Sequence, residues 1–102
     1  IGTWVGSFAD YDRDGDPDLL ILNGGYTMAS SLVFYENRMS TDNRFVNVTS
    51  ASGIDGSTTG LNDSSWWGAA WADYDNDGWL DVVITRINSS ALLLHNEGDK
   101  TF

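Results

Sequence analysis

Nine of the fifteen acidic residues in this 102-residue chain fall in two short runs, eight of them at matching positions. They read Asp10-x-Asp12-x-Asp14-Gly15-x-x-Asp18 and Asp73-x-Asp75-x-Asp77-Gly78-x-x-Asp81. Like charges packed this closely repel one another unless a cation neutralises them. Calcium suits such a set, because it is a hard cation that takes six to eight oxygens at about 2.3–2.6 Å. Carboxylates at alternate positions of a tight loop converge on one point, and Gly15 and Gly78 permit the sharp turn at the sixth position. The seventh residue, Asp16 or Trp79, offers its backbone carbonyl, which is why Trp is tolerated there. Asp18 and Asp81 close the shell at the start of the next segment. The spacing therefore predicts two Ca2+ sites. Their ligands are Asp10, Asp12, Asp14, Asp16 and Asp18 in the first, and Asp73, Asp75, Asp77, Trp79 and Asp81 in the second. An EF-hand opens with the same pattern but needs a bidentate Glu at position twelve and flanking helices. Position twelve is Ile21 or Ile84, and the flanking apolar runs are poor helix surfaces. Two acidic turns at matching places also argue against turns that bind nothing.

The elements that position these loops follow from an internal repeat. Trp4–Gly15 aligns with Trp67–Gly78 at an offset of 63 residues, and Asp18–Leu22 aligns with Asp81–Thr85 at the same offset. Leu32–Asn37 then aligns with Ala91–Asn96 at an offset of 59, so the first copy carries a longer loop around Gly24–Ser31. Trp4, Gly6 and Phe8, like Trp67, Ala69 and Trp71, recur at every second position, the signature of a strand with one buried face. Leu19–Leu22 and Leu80–Ile84 are short continuous apolar runs, suited to strands covered on both sides. Leu32–Tyr35 and Ala91–Leu94 supply third strands, and Phe45–Thr49 a fourth. Ser50–Ser65 is rich in Gly, Ser, Thr and Asn and reads as a linker. Each copy is then a four-stranded antiparallel unit, and units of this size arranged about an axis are β-propeller blades. The expected fold is all-β: residues 1–49 one complete blade, 50–66 an inter-blade linker, and 67–102 a partial blade whose fourth strand has barely begun. Two blades do not close a propeller, and a chain beginning at Ile1 rather than Met points to a processed or excerpted polypeptide.

Composition narrows the partners. The formal net charge is −10, with five Lys and Arg against fifteen Asp and Glu. That balance argues against nucleic acid and anionic membrane, which both require a basic patch. No apolar stretch approaches the roughly 20 residues of a membrane-spanning helix. A hydrophobic fraction of 41% and an aromatic fraction of 13% are too high for a disordered chain. Cysteine is absent, which excludes disulfides, thiolate metal sites and Cys nucleophiles.

The segment Ala-Asp-Tyr-Asp-x-Asp-Gly-x-x-Asp with its following apolar strand, and then Tyr35-Glu36-Asn37-Arg38 and Arg44-Phe45-Val46-Asn47-Val48-Thr49, resembles the FG-GAP/VCBS repeats of integrin-α-like β-propellers. The resemblance spans nearly the whole chain. It implies a loop between the first and second strands of each blade, with calcium held by the ten residues named above. It also implies further blades, usually to a total of seven.

Other residues carry weaker signals. His95, the only histidine, occupies the place of Glu36 and reads as a surface residue on a strand. Trp67 and Trp71 match Trp4 and Phe8 and are expected between blades. Trp66 and Trp79 have no aromatic counterpart and are the better candidates for exposed contacts, for example to sugars. Asn47, Asn62 and Asn88 head Asn-x-Ser/Thr sequons, acceptors for glycans in a secretory setting. No catalytic constellation is recognisable. The sequence thus points to a non-enzymatic, calcium-binding propeller module, secreted or on the cell surface. Its role would be adhesion, protein interaction or self-assembly as a ring or filament, with glycans or extracellular proteins as further partners. A scaffold or sugar-binding segment of a secreted carbohydrate-active enzyme or lectin is the alternative.

Overall fold

The computed structural model describes residues 2–24, 31–54, 65–87 and 89–102. The chain is all-β: among the described residues there is no helix, and hence none long and apolar enough to cross a membrane. Strands β1 (Gly2–Ala9), β2 (Asp18–Gly24), β3 (Ser31–Arg38) and β4 (Arg44–Asn47) form one antiparallel sheet in the order β1-β2-β3-β4. Strands β5 (Ser65–Ala72), β6 (Asp81–Ile87) and β7 (Ser89–Leu94) form a second, in the order β5-β6-β7. The strands run somewhat longer than the apolar runs that predict them. Cross-strand pairing carries polar ends such as Asp18, Asn37 and Arg38 into the ladder.

The register explains which residues meet. Ser7, Leu20 and Phe34 lie in one row across the first sheet, and Val5, Leu22 and Leu32 in the next row of the same face. This face packs on the second sheet, where Trp71, Val82 and Leu94 form one row and Ala69, Ile84 and Leu92 another. Leu20, Leu22, Phe34, Val82 and Ile84 are fully buried there. Burying each such side chain contributes about 1.5–3 kcal/mol. Tyr11 and Phe102 seal one end of this core: the Tyr11 ring stands edge-on to Phe34 at 4.8 Å and stacks on Phe102 at 6.0 Å.

Three expectations change. First, the period-two face containing Gly6 and Phe8 is not the core face. Phe8 is 61% exposed, while Val5 and Ala9 point inward. The equivalent Trp71 does pack inward, 5.8 Å from Phe34 and 6.0 Å from Phe102. The same face is thus outward in the first sheet and inward in the second. Second, Trp67 does not share the fate of Trp71. A register shift between Trp66 and Gly68 interrupts the alternation, and Trp67 is 55% exposed. An equivalent shift lies between Thr3 and Val5; the side chain of Trp4 falls outside the described residues. Third, the segment after β4 is more than a linker. Ser52 and Ile54 are fully buried, Ile54 joins the core, and Phe102 donates its backbone N–H to the Ser52 carbonyl at 2.9 Å. Strand β5 begins at Ser65, inside the segment read as linker; residues 55–64 and the longer loop at 25–30 lie outside the described residues.

Candidate metal centres

Each acidic run is the connection between the first two strands of its sheet, β1–β2 and β5–β6, as the repeat predicts. The two loops share one backbone path. Arg13 and Asn76 have φ of 61° and 60°, and Gly15 and Gly78 have φ of 94° and 93°. The glycine values lie in the region that a side chain disfavours, which accounts for Gly at the sixth position.

Their internal hydrogen bonds also coincide. Asp10 accepts the N–H of Asp14 at 3.0 Å and of Gly15 at 3.0 Å. Asp73 accepts from Asp77 at 3.0 Å and from Gly78 at 2.8 Å. Asp12 and Asp75 each accept the N–H two residues on at 3.3 Å. Asp14 accepts from Asp16 at 2.8 Å, and Asp77 from Trp79 at 2.9 Å. The ninth-position carboxylates tie each loop to the end of its third strand or to the residues just beyond it. Asp18 is fully buried, with Oδ2 accepting from Tyr11 N–H at 3.0 Å and Oδ1 from Asn37 N–H at 2.8 Å. Asp81 repeats this with Tyr74 at 3.2 Å and Asn96 at 2.8 Å. These N–H donors hold the carboxylates in place while leaving each oxygen a further lone pair.

In the second loop, carboxylate oxygens of Asp73, Asp75, Asp77 and Asp81 all lie within 4.8 Å of one another. In the first, Asp10, Asp12 and Asp18 form such a group, and Asp14 falls outside it. The Asp16 carboxylate turns to the Ser40 hydroxyl, which donates to it at 2.5 Å. This leaves the Asp16 main chain as its means of reaching a metal.

The second repeat reaches into the first loop. Lys100 Nζ sits 3.2 Å from Asp12 Oδ2, forming an ion pair without hydrogen-bond alignment, and donates to Glu36 Oε1. Glu36 also accepts from Arg38 at 2.6 Å. Burial pushes the Glu36 carboxyl up, but the hydrogen bonds from Lys100 and Arg38 outweigh it and leave it below the usual range. Asn96 Nδ2 donates to the Tyr11 carbonyl at 2.8 Å, a second tie between the repeats.

Burial pushes Asp18 up from an ordinary 3.8 to about 7, with the Asp12 and Asp14 charges adding to it, despite the two N–H donors. Asp12 and Asp75 are raised as well, with burial the leading cause. Between 3.8 and about 7 the folded state therefore holds protons at Asp18 that the unfolded state has released. The metal-free fold accordingly loses stability as pH rises through that window. Thermal melts in chelator should give a higher Tm near the acid end than near the alkaline end. The opposite slope would contradict it.

Other sequence expectations fall as follows. Trp79 is half-buried rather than freely exposed: the Arg13 guanidinium lies 5.2 Å over its ring, and Gly98, with φ of 78°, has no Cβ where the indole passes. Arg13 thereby reaches from the first loop to the second, with Nη1 beside Gly78. The side chain of Trp66, and Asn62 and Asn88, lie outside the described residues. Asn47 is exposed at the end of β4, with its Oδ1 accepting from the Thr49 hydroxyl at 2.7 Å. His95 departs from a plain surface position. Its Nδ1 lies 3.1 Å from Asp81 Oδ1 and 3.6 Å from Asp75 Oδ2, and its Nε2 lies 3.7 Å from Asp77 Oδ2. The signal was its alignment with Glu36, one residue before the Asn96 whose N–H holds Asp81.

No characterised protein and no solved structure matches the chain significantly. The family model for the FG-GAP-like repeat matches residues 10–84, from the first acidic loop through the second and into β6. That match covers most of the chain and takes in both loops, and so the chain belongs to the FG-GAP-like repeat family.

Proposed function

We propose that this chain is a calcium-binding β-propeller repeat module, non-catalytic, serving adhesion, protein interaction or self-assembly outside the cell. The observation that carries the metal reading is the duplicated loop. Four carboxylates converge in the second copy and three in the first, on a common backbone path with N–H groups already holding them. Calcium is the favoured ion because both loops present carboxylate oxygens, with main-chain carbonyls at Asp16 and Trp79 as further donors. The test is calorimetric titration of variants. Asp12→Ala and Asp75→Ala should each remove about one equivalent of calcium, leaving the other loop occupied, with weakening of about tenfold or more at the altered loop. Arg13→Ala should bind as the parent does. Calcium loss in Arg13→Ala with Asp12→Ala unaffected would refute the register.

The propeller reading rests on how equivalent faces differ between the copies. Tyr11, Leu20 and Phe34 are buried because the second repeat covers them. Their equivalents Tyr74, Val83 and Leu93 are 54%, 38% and 49% exposed. Conversely, Phe8 is exposed where Trp71 is packed. Each end of the pair thus carries the face that its other end has already matched. A further repeat placed as the second sits on the first would cover Tyr74, Val83 and Leu93, and one placed before it would cover Phe8. The proposed partners are therefore further repeats, in the same polypeptide or in identical chains docked head to tail as a ring or filament.

A further inference from the structure

The two loops differ in what faces them from the third strand. In the first, the facing residue is Glu36, an oxygen donor engaged by Lys100 and Arg38. In the second, the equivalent residue is His95, and no lysine reaches that loop among the described residues. We propose that the second loop takes a borderline divalent cation of the first transition row, of the Zn2+ or Co2+ class, through His95 Nδ1, Asp75 and Asp81. This rests on the reading that the loops are metal sites and names the ion one of them selects.

Geometry supports the set. Bonds of about 2.0–2.2 Å to nitrogen and oxygen place neighbouring ligands about 3–3.5 Å apart. The separations from His95 Nδ1 to Asp81 Oδ1 and Asp75 Oδ2 are 3.1 Å and 3.6 Å. His95 Nδ1 is shielded from solvent yet has no hydrogen-bond partner, although it faces two carboxylates. A cation shared by the three groups gives that nitrogen its missing partner. The ring is held in place for this role. Tyr74 stands edge-on to it at 5.9 Å, and the Asp77 carboxylate lies 3.7 Å from Nε2, the ring's other nitrogen. Asp81 is itself fixed by the N–H groups of Tyr74 and Asn96. Imidazole suits Zn2+ and its neighbours, whereas calcium prefers oxygen, so one nitrogen donor among carboxylates shifts selectivity toward the transition row. The first loop has no such donor and remains a hard-cation site.

The test is titration of the full chain with Co2+ in the presence of saturating calcium, followed by visible absorption and by the imidazole nitrogen signals of the single histidine. The expected result is one equivalent of Co2+, displacement of one calcium, and a perturbed Nδ1 signal. His95→Glu, which installs the first repeat's residue, should weaken Co2+ by about tenfold or more while both loops still bind calcium. Calcium bound at both loops with the imidazole signals unmoved by Co2+, or equal Co2+ binding in His95→Glu, would overturn this inference alone. Failure of both metals to bind would overturn the calcium reading together with it.

Discussion

Calcium at about 10 mM should raise the melting temperature of this chain by about 10 °C or more, and chelator should reverse the rise. The reason is the unneutralised charge the fold gathers. Asp73, Asp75, Asp77 and Asp81 share one small volume, and Asp10, Asp12 and Asp18 another. In the unfolded chain these carboxylates separate and the repulsion falls. A cation bound only by the folded state stabilises it by RT ln(1 + [L]/Kd), about 2.7 kcal/mol per site at a hundredfold excess. In a domain of this length, 1 kcal/mol moves Tm by about 4–8 °C. Extracellular calcium modules commonly bind with Kd of about 10⁻⁴–10⁻³ M, which sets the concentration needed. The gain should be larger at neutral than at acid pH, because protonation of Asp18 relieves the same repulsion that calcium relieves. Melting curves that coincide with and without calcium would refute the metal reading of both loops.

The second large effect concerns association. The chain should form head-to-tail assemblies at micromolar to millimolar concentration, and calcium should promote them. Phe8 on one end, and Tyr74, Val83 and Leu93 on the other, are exposed apolar groups whose repeat equivalents are packed. Covering one large apolar side chain contributes about 1.5–3 kcal/mol. A face of several such groups therefore competes with the cost of association. The contact is heterologous, so it closes into a ring only where the rotation allows and otherwise extends. Charge opposes it, and two divalent ions would bring the formal net charge from −10 to −6. β7 adds to the tendency: among the described residues it ends the order β5-β6-β7 and presents an edge. Sedimentation velocity with calcium and with chelator gives the answer. Species larger than one chain in calcium, diminished by Leu93→Asp, are expected. A monodisperse monomer in calcium at all concentrations would refute docking between identical chains.

Much of this was legible in the sequence, for definite physical reasons. The carboxylates sit at alternate positions with Gly at the sixth, and a loop so short leaves the backbone few other paths. Both loops consequently adopt the same φ values and the same N–H partners. Period-two alternation and the 63-residue offset placed the loops between the first and second strands, because those signals depend only on neighbours along the chain. What lay beyond such signals was which face of each sheet is inside. Phe8 and Trp71 have the same local pattern, yet only Trp71 has a sheet over it, and a shift at Trp67 removes that residue from the alternation. Ile54, within a polar stretch, enters the core because the chain turns back beneath Phe102. The two loops, alike in sequence, were distinguished by side chains from elsewhere. Lys100 crosses from the second repeat to Asp12 and Glu36, and His95 turns from the end of β7 onto Asp75 and Asp81. Loop backbone was set locally and read locally; the differences between the copies depend on which surfaces meet, and that is fixed only when the sheets pack.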